Sequence, residues 1–316
     1  MIEKCKILVT GASGFLGGKL MSALALRADT LALGAVRRPG QYAKVVNPLL
    51  VGELNVRTNW SDALSAVHVV IHMAARAHAM KREVVDALAE YRSVNVAGTL
   101  NLARQAATAG VRRFIFISSI GVNGAINFRP FRPDDQPNPA EPYAQSKWEA
   151  EQGLWEIQRE TGMEVVIIRP PLVYGLGAPG NFGSLVGWVD SGIPLPLGAV
   201  HNKRSFVGVD NLVDLLIHCI DHPAAANQVF LAGDGEDLST TELLHCVGEA
   251  MGKHTRLIAV PVWLLRLGAS LLGKNTMAQR LLGSLQVDIT KTCELLEWKP
   301  PYTVREGLKL CFEHSN

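Results

Sequence analysis

Short apolar runs alternate with longer segments of helical spacing over the first half of the chain. Several runs are apolar on both faces, as in strands of a sheet that helices cover on both sides. The predicted strands are Lys6–Thr10, Leu31–Val36, Leu49–Leu54, Val69–Met73, Phe114–Ser118 and Val165–Arg169. The helical patterns between them are Phe15–Ala28, Tyr91–Ala109 and Tyr143–Thr161. This alternation predicts an α/β fold with a parallel, doubly wound sheet.

The pattern changes after about residue 170. Glycine and proline cluster through Gly175–Gly198, which predicts loops with turns. Later helical patterns cover Asn211–Ile220, Thr240–Met251, Trp263–Leu272 and Ala278–Leu285. We expect residues 1–170 to form the sheet domain. Residues 171–316 are expected to form mainly a smaller lobe over the carboxyl edge of the sheet, with some returns to it.

One segment of the second half, Pro261–Leu272, is strongly apolar. Its short length favours a core helix of the smaller lobe over contact with a membrane surface. No uninterrupted apolar stretch is long enough to span a bilayer, and no apolar signal region precedes the first predicted strand. We therefore expect a cytoplasmic protein without a membrane span.

Composition narrows the class of protein. Of 316 residues, 48% are hydrophobic and 19% charged, which is typical of a globular protein with a substantial core. The formal net charge of +2 does not indicate a nucleic-acid partner. The five cysteines are odd in number, lie far apart and form no CxxC pair, so we expect free thiols and no metal site.

A glycine-rich turn, Thr10–Gly17, lies between the first predicted strand and the first predicted helix. Gly11 permits a tight turn, Gly14 lets the backbone approach a pyrophosphate, and Gly17 allows the helix to pack closely on the strand. A pyrophosphate then lies at the helix N-terminus, where backbone N–H groups are free. The cofactor contacts predicted here are Gly11, Ser13, Gly14, Phe15, Leu16 and Gly17.

The end of the second strand indicates which dinucleotide binds. An acidic residue there would accept hydrogen bonds from a ribose 2′-hydroxyl, but this chain has Arg37 and Arg38. A guanidinium favours a 2′-phosphate, so NADP is preferred, with NAD and a merely solvated strand end as alternatives. Glu53 and Leu54 end the third predicted strand, and the carboxylate can accept from the adenine amino group or be an ordinary surface residue. Small residues end the fourth strand and let a ribose approach: Met73, Ala74 and Ala75.

A candidate catalytic set follows in chain order. Tyr143 and Lys147 are four residues apart, hence on one helix face. Lys147 can hydrogen-bond the nicotinamide ribose and, by its charge, lower the pKa of the Tyr143 phenol. The phenol can then exchange a proton with a substrate oxygen while hydride moves at the adjacent carbon. Ser119 ends the fifth strand and can hydrogen-bond that oxygen, and Asn95 can hold a structural water or a strand end.

These residues resemble the extended short-chain dehydrogenase/reductase family, particularly its nucleotide-sugar branch, over nearly the whole chain. By position, Tyr143, Lys147, Ser119 and Asn95 match the family's catalytic set. The segments that carry the resemblance are Thr10–Gly17, His72–Ala75, Asn95–Thr99, Ile117–Ser119, Tyr143–Lys147, Arg169–Gly175 and Arg204–Asp210.

The resemblance implies a Rossmann fold with a smaller C-terminal substrate-binding lobe. It implies that the nicotinamide lies against Ser118 and the segment from Pro170 to Tyr174, including Leu172 and Val173. It also implies that a nucleotide-sugar diphosphate meets Asn181 and Arg204, with Arg280 as a second basic contact. Family members often form homodimers through two helices of each subunit, which here correspond to the patterns Tyr91–Ala109 and Tyr143–Thr161.

Departures from the family pattern select among its reactions. The 4,6-dehydratases have an acidic pair after the strand-end hydroxyl, where this chain has Ile120 and Gly121. Many 4-epimerases have Tyr in place of Asn123 and Asp in place of Arg37. The chain looks most like NAD(P)H-dependent reductases of UDP-4-keto-6-deoxy-N-acetylhexosamine at C4, which serve bacterial O-antigen synthesis.

Three alternatives remain beside this interpretation. The first is a UDP-hexose or UDP-N-acetylhexosamine 4-epimerase, which would share every catalytic residue and hold NAD tightly. The second is a reductase of aromatic or steroid ketones, which would not need Arg204 near a phosphate. The third is a non-catalytic NADP-sensing protein, which would be expected to lose Tyr143 or Lys147, and both are present.

Overall fold

The predicted strands form a parallel sheet in the computed structural model, which describes residues 4–77 and 87–313. Seven strands pair in the order β3-β2-β1-β4-β5-β6-β9. They are β1 Cys5–Thr10, β2 Thr30–Val36, β3 Pro48–Leu50, β4 Val69–His72, β5 Arg113–Ile117, β6 Glu164–Arg169 and β9 Gln228–Leu231. A second, three-stranded sheet contains β7 Leu172–Tyr174, β8 Arg204–Gly208 and β10 Asp237–Leu238. The doubly wound α/β fold is confirmed, and β9 brings the second half of the chain back to the large sheet.

Helices cover both faces of the large sheet and build the rest of the second half. They are α1 Phe15–Ala25, α2 Ala87–Tyr91, α3 Thr99–Thr108, α4 Pro142–Thr161, α5 Asn181–Asp190, α6 Val209–Asp221, α7 Thr240–Ala250, α8 Val262–Leu271, α9 Asn275–Leu282, α10 Thr290–Leu295 and α11 Val304–Glu313. A π-helix, Arg92–Gly98, joins α2 to α3, and a short 3-10 helix, Ile120–Val122, follows β5.

The core lies in two layers because successive residues of a strand face opposite sides of the sheet. On β1, Ile7 and Val9 pack into the layer that contains Leu212 of α6. Leu8, between them, packs into the layer that contains Leu102 of α3 and Leu154 of α4. Continuous burial along the strands explains why they are apolar at nearly every position.

The strand order places a crevice at the carboxyl ends of β1 and β4. The chain leaves β1 toward β2 on one side and later returns to β4 on the other, so the connections diverge there. Such a point is where open α/β sheets bind dinucleotides.

Two sequence predictions need correction. The third strand ends at Leu50, short of the predicted Leu54, because the chain turns at Gly52 with a φ of +75°. The predicted loop region Gly175–Gly198 contains α5. The i, i+3, i+7 residues Phe182, Leu185 and Val189 bury one face of that helix. The surrounding glycines and prolines concealed this periodicity.

The prediction of a core helix at Pro261–Leu272 is also wrong. The segment does form α8, but no residue of that helix is buried. Only one side packs on the lobe, through the half-buried Val262 and Leu265. Within the part of the chain that the structure describes, no helix combines the length and apolarity needed to cross a membrane.

Candidate active site

The glycine-rich turn is packed too tightly for side chains. Gly11 has a φ of +72°, and a Cβ added there would lie 2.9 Å from the backbone nitrogen of Ala74. A Cβ on Gly17 would lie 2.1 Å from the Gly11 carbonyl oxygen, so helix and turn touch. No side chain among the described residues caps the N-terminus of α1 at Gly14. The first-turn N–H groups are therefore available to a pyrophosphate.

A cleft of about 480 Å³ runs from this turn along the carboxyl ends of β1, β2 and β4. Its walls include the predicted cofactor contacts Gly11, Ser13, Gly14, Arg37, Glu53, Leu54, Met73, Ala74 and Ala75. A long cleft with a glycine turn at its edge fits a dinucleotide, so the residues present match the cofactor that the sequence implies.

The floor of the cleft is fixed by a buried histidine. The Thr10 hydroxyl lies 2.6 Å from Nδ1 of His72 and accepts from the backbone nitrogens of Met73 and Ala74, each at 3.2 Å. Nε2 of His72 lies 2.9 Å from the Thr99 hydroxyl. Burial, with the nearby charge of Lys147, lowers the pKa of His72 to about 3. A neutral imidazole with both nitrogens engaged joins β1, β4 and α3, which is a structural role.

The end of the cleft at which the sequence predicts the adenosine holds a small charge cluster. Guanidinium nitrogens of Arg37 and Arg38 lie 3.6 and 3.9 Å from carboxylate oxygens of Glu53. The side-chain oxygen of Gln41 accepts from the backbone nitrogens of both arginines, at 3.0 and 3.2 Å. Gln41 also donates to the Ser13 hydroxyl at 3.1 Å. Arg37 and Arg38, predicted to bind a 2′-phosphate, thus pair with Glu53, which was predicted to bind adenine. Glu53 lies beyond β3 and does not end that strand as predicted.

Lys147 is buried at the carboxyl end of β5. Its ammonium nitrogen donates to the carbonyl oxygen of Ile117 at 2.7 Å and lies 4.3 Å from the centre of the Phe116 ring. Burial lowers the pKa of Lys147 to about 7, and the negative charge of Glu151 opposes that shift.

The pKa of Tyr143 departs from the sequence expectation. The ring stands edge-on to Tyr91, with 6.0 Å between centroids. Burial, followed by the effect of Tyr91, raises the pKa of Tyr143 to about 12, whereas the charge of Lys147 led us to expect a lower value. The reason is that desolvation disfavours the phenolate and that the Lys147 ammonium is held at the Ile117 carbonyl. The phenol is therefore protonated at neutral pH.

Ser119 lies where β5 passes into the 3-10 helix Ile120–Val122. Its hydroxyl caps that helix by accepting from the Gly121 backbone nitrogen at 3.1 Å. A Cβ on Gly121 would lie 3.3 Å from the Ser119 hydroxyl oxygen and 3.1 Å from Cβ of Ala144. Gly121 thus lies between Ser119 and the first turn of α4, which brings the strand-end hydroxyl to the helix of Tyr143.

Asn95 connects the cleft to α4, the helix that carries Tyr143 and Lys147. It is buried within the π-helix, and its amide bonds to both backbone groups of Arg76, at 2.8 Å to the nitrogen and 3.1 Å to the oxygen. The amide also donates to the Ser146 hydroxyl at 3.0 Å. Because Arg76 lines the cleft and Ser146 lies between Tyr143 and Lys147, Asn95 acts as a positioning residue. The sequence indicated an ordinary helix here, and local π-helices are frequent at functional sites.

A buried polar network beneath the site was missed by sequence reasoning. The Arg169 guanidinium forms two bonds to the Glu151 carboxylate, at 2.5 and 3.0 Å, and one to the Asn123 side-chain oxygen at 3.0 Å. The Ser118 hydroxyl also donates to Glu151, so its predicted cofactor contact is left to its main chain. The available signal was Glu151, a carboxylate one turn after Lys147 on the buried face of α4.

The predicted substrate residues line a second cavity, of about 330 Å³. Its wall includes Leu172, Asn181, Arg204 and Arg280. Arg204 donates to the Gly283 carbonyl oxygen at 3.0 Å, and burial together with the charge of Arg280 lowers its pKa to about 10. Two cations facing one cavity favour an anionic ligand.

Arg280 also connects this cavity to α4. One of its nitrogens lies 2.7 Å from each carboxylate oxygen of Glu141, the residue that precedes α4. The helix bearing Tyr143 is thus anchored to the cleft through Ser146 and Asn95, and to the cavity through Glu141.

Other predicted contacts have structural roles. The Phe15 ring packs near Gly175, and Leu16 and Val173 pack against the core layer of α6. The Pro170 carbonyl accepts from the Ile120 backbone nitrogen at 3.0 Å. All five cysteines are free, as expected. Over residues 4–77 and 87–313, no group of three or more His, Cys, Asp or Glu side chains could hold a metal ion.

Comparison with known proteins identifies the family of the chain. Residues 7–233 match the model of the NAD dependent epimerase/dehydratase family. A curated relative, the UDP-glucose 4-epimerase of Vibrio cholerae, is 48% identical over 308 residues, which cover 96% of this chain and 93% of the relative. This similarity favours the epimerase alternative over the reductase.

Solved structures share the fold. The UDP-glucuronic acid 4-epimerase from Bacillus cereus in complex with NAD has a TM-score of 0.78 at 21% identity, with 98% of each chain covered. The structure of RMD from Pseudomonas aeruginosa with NADPH has a TM-score of 0.73 at 21% identity, with 97% of this chain and 98% of that chain covered. With its matched family model and its 48% identical relative, the chain belongs to the NAD dependent epimerase/dehydratase family of extended short-chain dehydrogenases.

Proposed function

We propose that this enzyme is a 4-epimerase of a UDP-hexose or UDP-N-acetylhexosamine. The observation that carries the proposal is the position of Tyr143, on a helix anchored to a dinucleotide cleft on one side and to an arginine-lined cavity on the other. The 48% identity to the Vibrio cholerae enzyme supports C4 of a UDP-sugar as the reacting carbon.

The cofactor in this proposal is NAD, held by the glycine turn and the cleft walls. When bound, it supplies a reversible hydride acceptor. Lys147 lies at the β5 end, where its ammonium group can hold a ribose hydroxyl. Arg204 and Arg280 hold the diphosphate of the sugar nucleotide and thereby fix the sugar ring against the catalytic helix.

Tyr143 moves the proton at the C4 oxygen. As the phenolate it accepts the hydroxyl proton while C4 is oxidised, and as the resulting phenol it returns that proton when the sugar is reduced from the opposite face. In the protein alone, burial raises the pKa of Tyr143 to about 12 and keeps the phenol protonated. The accepting phenolate would therefore form only when the positive charges of a bound oxidised nicotinamide and of Lys147 lower that pKa. Ser119 donates a hydrogen bond to the same oxygen and orients it.

The test is turnover without added cofactor. The purified protein is expected to release NAD on denaturation, detected by mass spectrometry, and to interconvert UDP-glucose with UDP-galactose, or their N-acetylated forms, in the absence of free nucleotide. A protein that holds no NAD and leaves all four UDP-sugars unchanged would contradict the proposal.

A second candidate is the NADPH-dependent C4 reductase of a UDP-4-keto-6-deoxy-N-acetylhexosamine. Arg37 and Arg38 favour it, because they stand at the end of β2 where a 2′-phosphate is expected. This enzyme would consume one NADPH for each keto sugar. Replacing Arg37 and Arg38 by Ala would weaken NADPH binding about 10–100-fold and spare NADH, since charge-assisted hydrogen bonds are lost. Arg57→Ala, on the exposed loop beyond β3, is the matched control.

We also propose that the chain forms a homodimer through α3 and α4. A shallow groove of about 610 Å³ on this face is lined by Val96, Leu100, Arg104 and Glu149, a mixture suited to a helix-packed interface. Light scattering of the protein as it elutes from a size-exclusion column gives its molecular mass in solution. A monomeric mass at micromolar protein concentration would contradict the proposed dimer.

A further inference from the structure

The outward face of α8 is an apolar stripe. Trp263, Leu267 and Leu271 follow one another at intervals of four residues and are 64%, 52% and 80% exposed. Leu264 and Leu272 extend the stripe at its sides, at 41% and 72%. Side chains four residues apart lie on one helix face, so the stripe is continuous. Monomeric soluble proteins seldom expose contiguous apolar surface of this kind without an interaction that uses it.

A neighbouring loop lies across a cavity from α8. Phe128 is fully exposed and shares the wall of a cavity of about 710 Å³ with Val262 and Arg266 of α8. A Cβ on Gly283, at the end of α9, would lie 2.8 Å from Cγ2 of Ile126, so the loop packs against the α8–α9 pair. We define the apolar platform as the five exposed side chains of α8 and the residue that follows it: Trp263, Leu264, Leu267, Leu271 and Leu272.

The segment that contains α8 carries charge of one sign. The whole chain is nearly balanced, with 31 basic and 29 acidic residues, yet residues 250–287 contain no Asp or Glu. The same segment contains five cations: Lys253, Arg256, Arg266, Lys274 and Arg280. Lys253 and Arg280 form ion pairs with Asp190 and Glu141. Arg266 on α8 and Lys274 after it are exposed and form no ion pair with the residues described here, so their charge is available to an anionic surface.

We propose that the apolar platform docks the protein on the surface of an anionic phospholipid bilayer. A short helix with Trp and Leu on its outer face and cations at its border is the composition of interfacial helices, which lie in the headgroup region without crossing it. Tryptophan prefers this interface, and basic residues are attracted to anionic headgroups. Within this segment of 38 residues no carboxylate would be repelled by anionic headgroups.

Docking in this way sets the orientation of the active site. α9 packs beside α8 and carries Arg280, which lines the second cavity and pairs with Glu141 before the catalytic helix. The cavity therefore lies beside the docked face. The docking proposal does not depend on which sugar the enzyme converts, and it is tested without turnover.

The experiment is sedimentation with vesicles of phosphatidylcholine containing about one-third phosphatidylglycerol, against pure phosphatidylcholine. Wild-type protein is expected in the pellet with the mixed vesicles and largely in the supernatant with the neutral ones, and high salt should weaken binding. The double variant Trp263→Ser, Leu267→Ser should lower the bound fraction about tenfold or more. Leu26→Ser, which changes an 89% exposed leucine after α1, is the matched control and should bind like wild type.

Two results would overturn the proposal. One is equal sedimentation of wild type and the double variant, or no binding of wild type to either vesicle. The other is a change of oligomeric mass in the double variant, since the platform would then pack on a second copy. Thermal unfolding of both variants should match wild type because the replaced side chains are exposed, and circular dichroism checks this.

Discussion

The helices α4 and α8 invert the usual relation between polarity and burial. α4 carries Lys147 and Glu151, and both are buried, at 1% and 0% exposed. α8 is almost wholly apolar, and none of its residues is buried. Burial is therefore set by what surrounds a helix, and composition alone does not determine it. A buried polar residue and a contiguous exposed apolar patch each call for an explanation, whereas a single exposed apolar residue does not.

The partners of the two helices lie in different places. On α4 they are inside the protein: Ile117 accepts from Lys147, and Arg169 pairs with Glu151. These contacts offset part of the desolvation of the charges and fix the two side chains in place. On α8 the outward leucines have no such partner in the described structure, which is why we place their partner outside the chain.

The largest effect should come from the chemistry at the start of α4. Tyr143→Phe removes the hydroxyl that carries the proton and should lower kcat about 10²–10⁴-fold while NAD or NADPH binding persists. Tyr91→Phe, which removes the neighbouring phenol in the edge-on pair, should stay within a few-fold of wild type. The rate of product formation measures kcat, and cofactor fluorescence measures cofactor binding. Unchanged turnover in Tyr143→Phe would exclude the proposed acid.

Breaking the network under α4 tests whether its buried charges depend on one another. Glu151→Ala leaves the buried Arg169 guanidinium without its carboxylate and should lower the free energy of unfolding by about 3–5 kcal/mol. Glu156→Ala, an exposed position on the same helix, should change it by about 0.5 kcal/mol or less. Urea unfolding measures both. If both variants lowered the free energy of unfolding by the same small amount, the buried network would contribute little to stability.

The same contrast explains what could be predicted from sequence. The strands, the glycine turn and the Tyr143–Lys147 pair follow from periodicity and spacing, which are local. The raised pKa of Tyr143, the π-helix around Asn95 and the Glu151–Arg169 pair depend on contacts between distant segments. The exposure of α8 was misjudged for the same reason: an apolar run does not show whether anything covers it.

Lys147 provides a pH test of its burial. Its pKa falls from an ordinary 10.5 to about 7 in the folded protein. Between these values the unfolded chain binds a proton that the folded protein does not, so the free energy of unfolding should rise with pH, by up to about 1.4 kcal/mol per unit. Lys147→Met should lack this rise. The free energy of unfolding is measured for both proteins at pH 7, 8 and 9, and the difference between them cancels the contribution of the cysteines, which both share. A difference that does not change with pH would contradict the lowered pKa of Lys147.

The smallest effect should come from α8 and completes the comparison. Leu267→Ala removes an exposed side chain and should change the free energy of unfolding by about 0.5 kcal/mol or less. Leu154→Ala, the matched truncation of a fully buried leucine on α4, should lower it by about 2–5 kcal/mol because it leaves a cavity. If Leu267→Ala destabilised the protein as much as Leu154→Ala, α8 would be part of the folding core, and its apolar face would need no partner outside the chain.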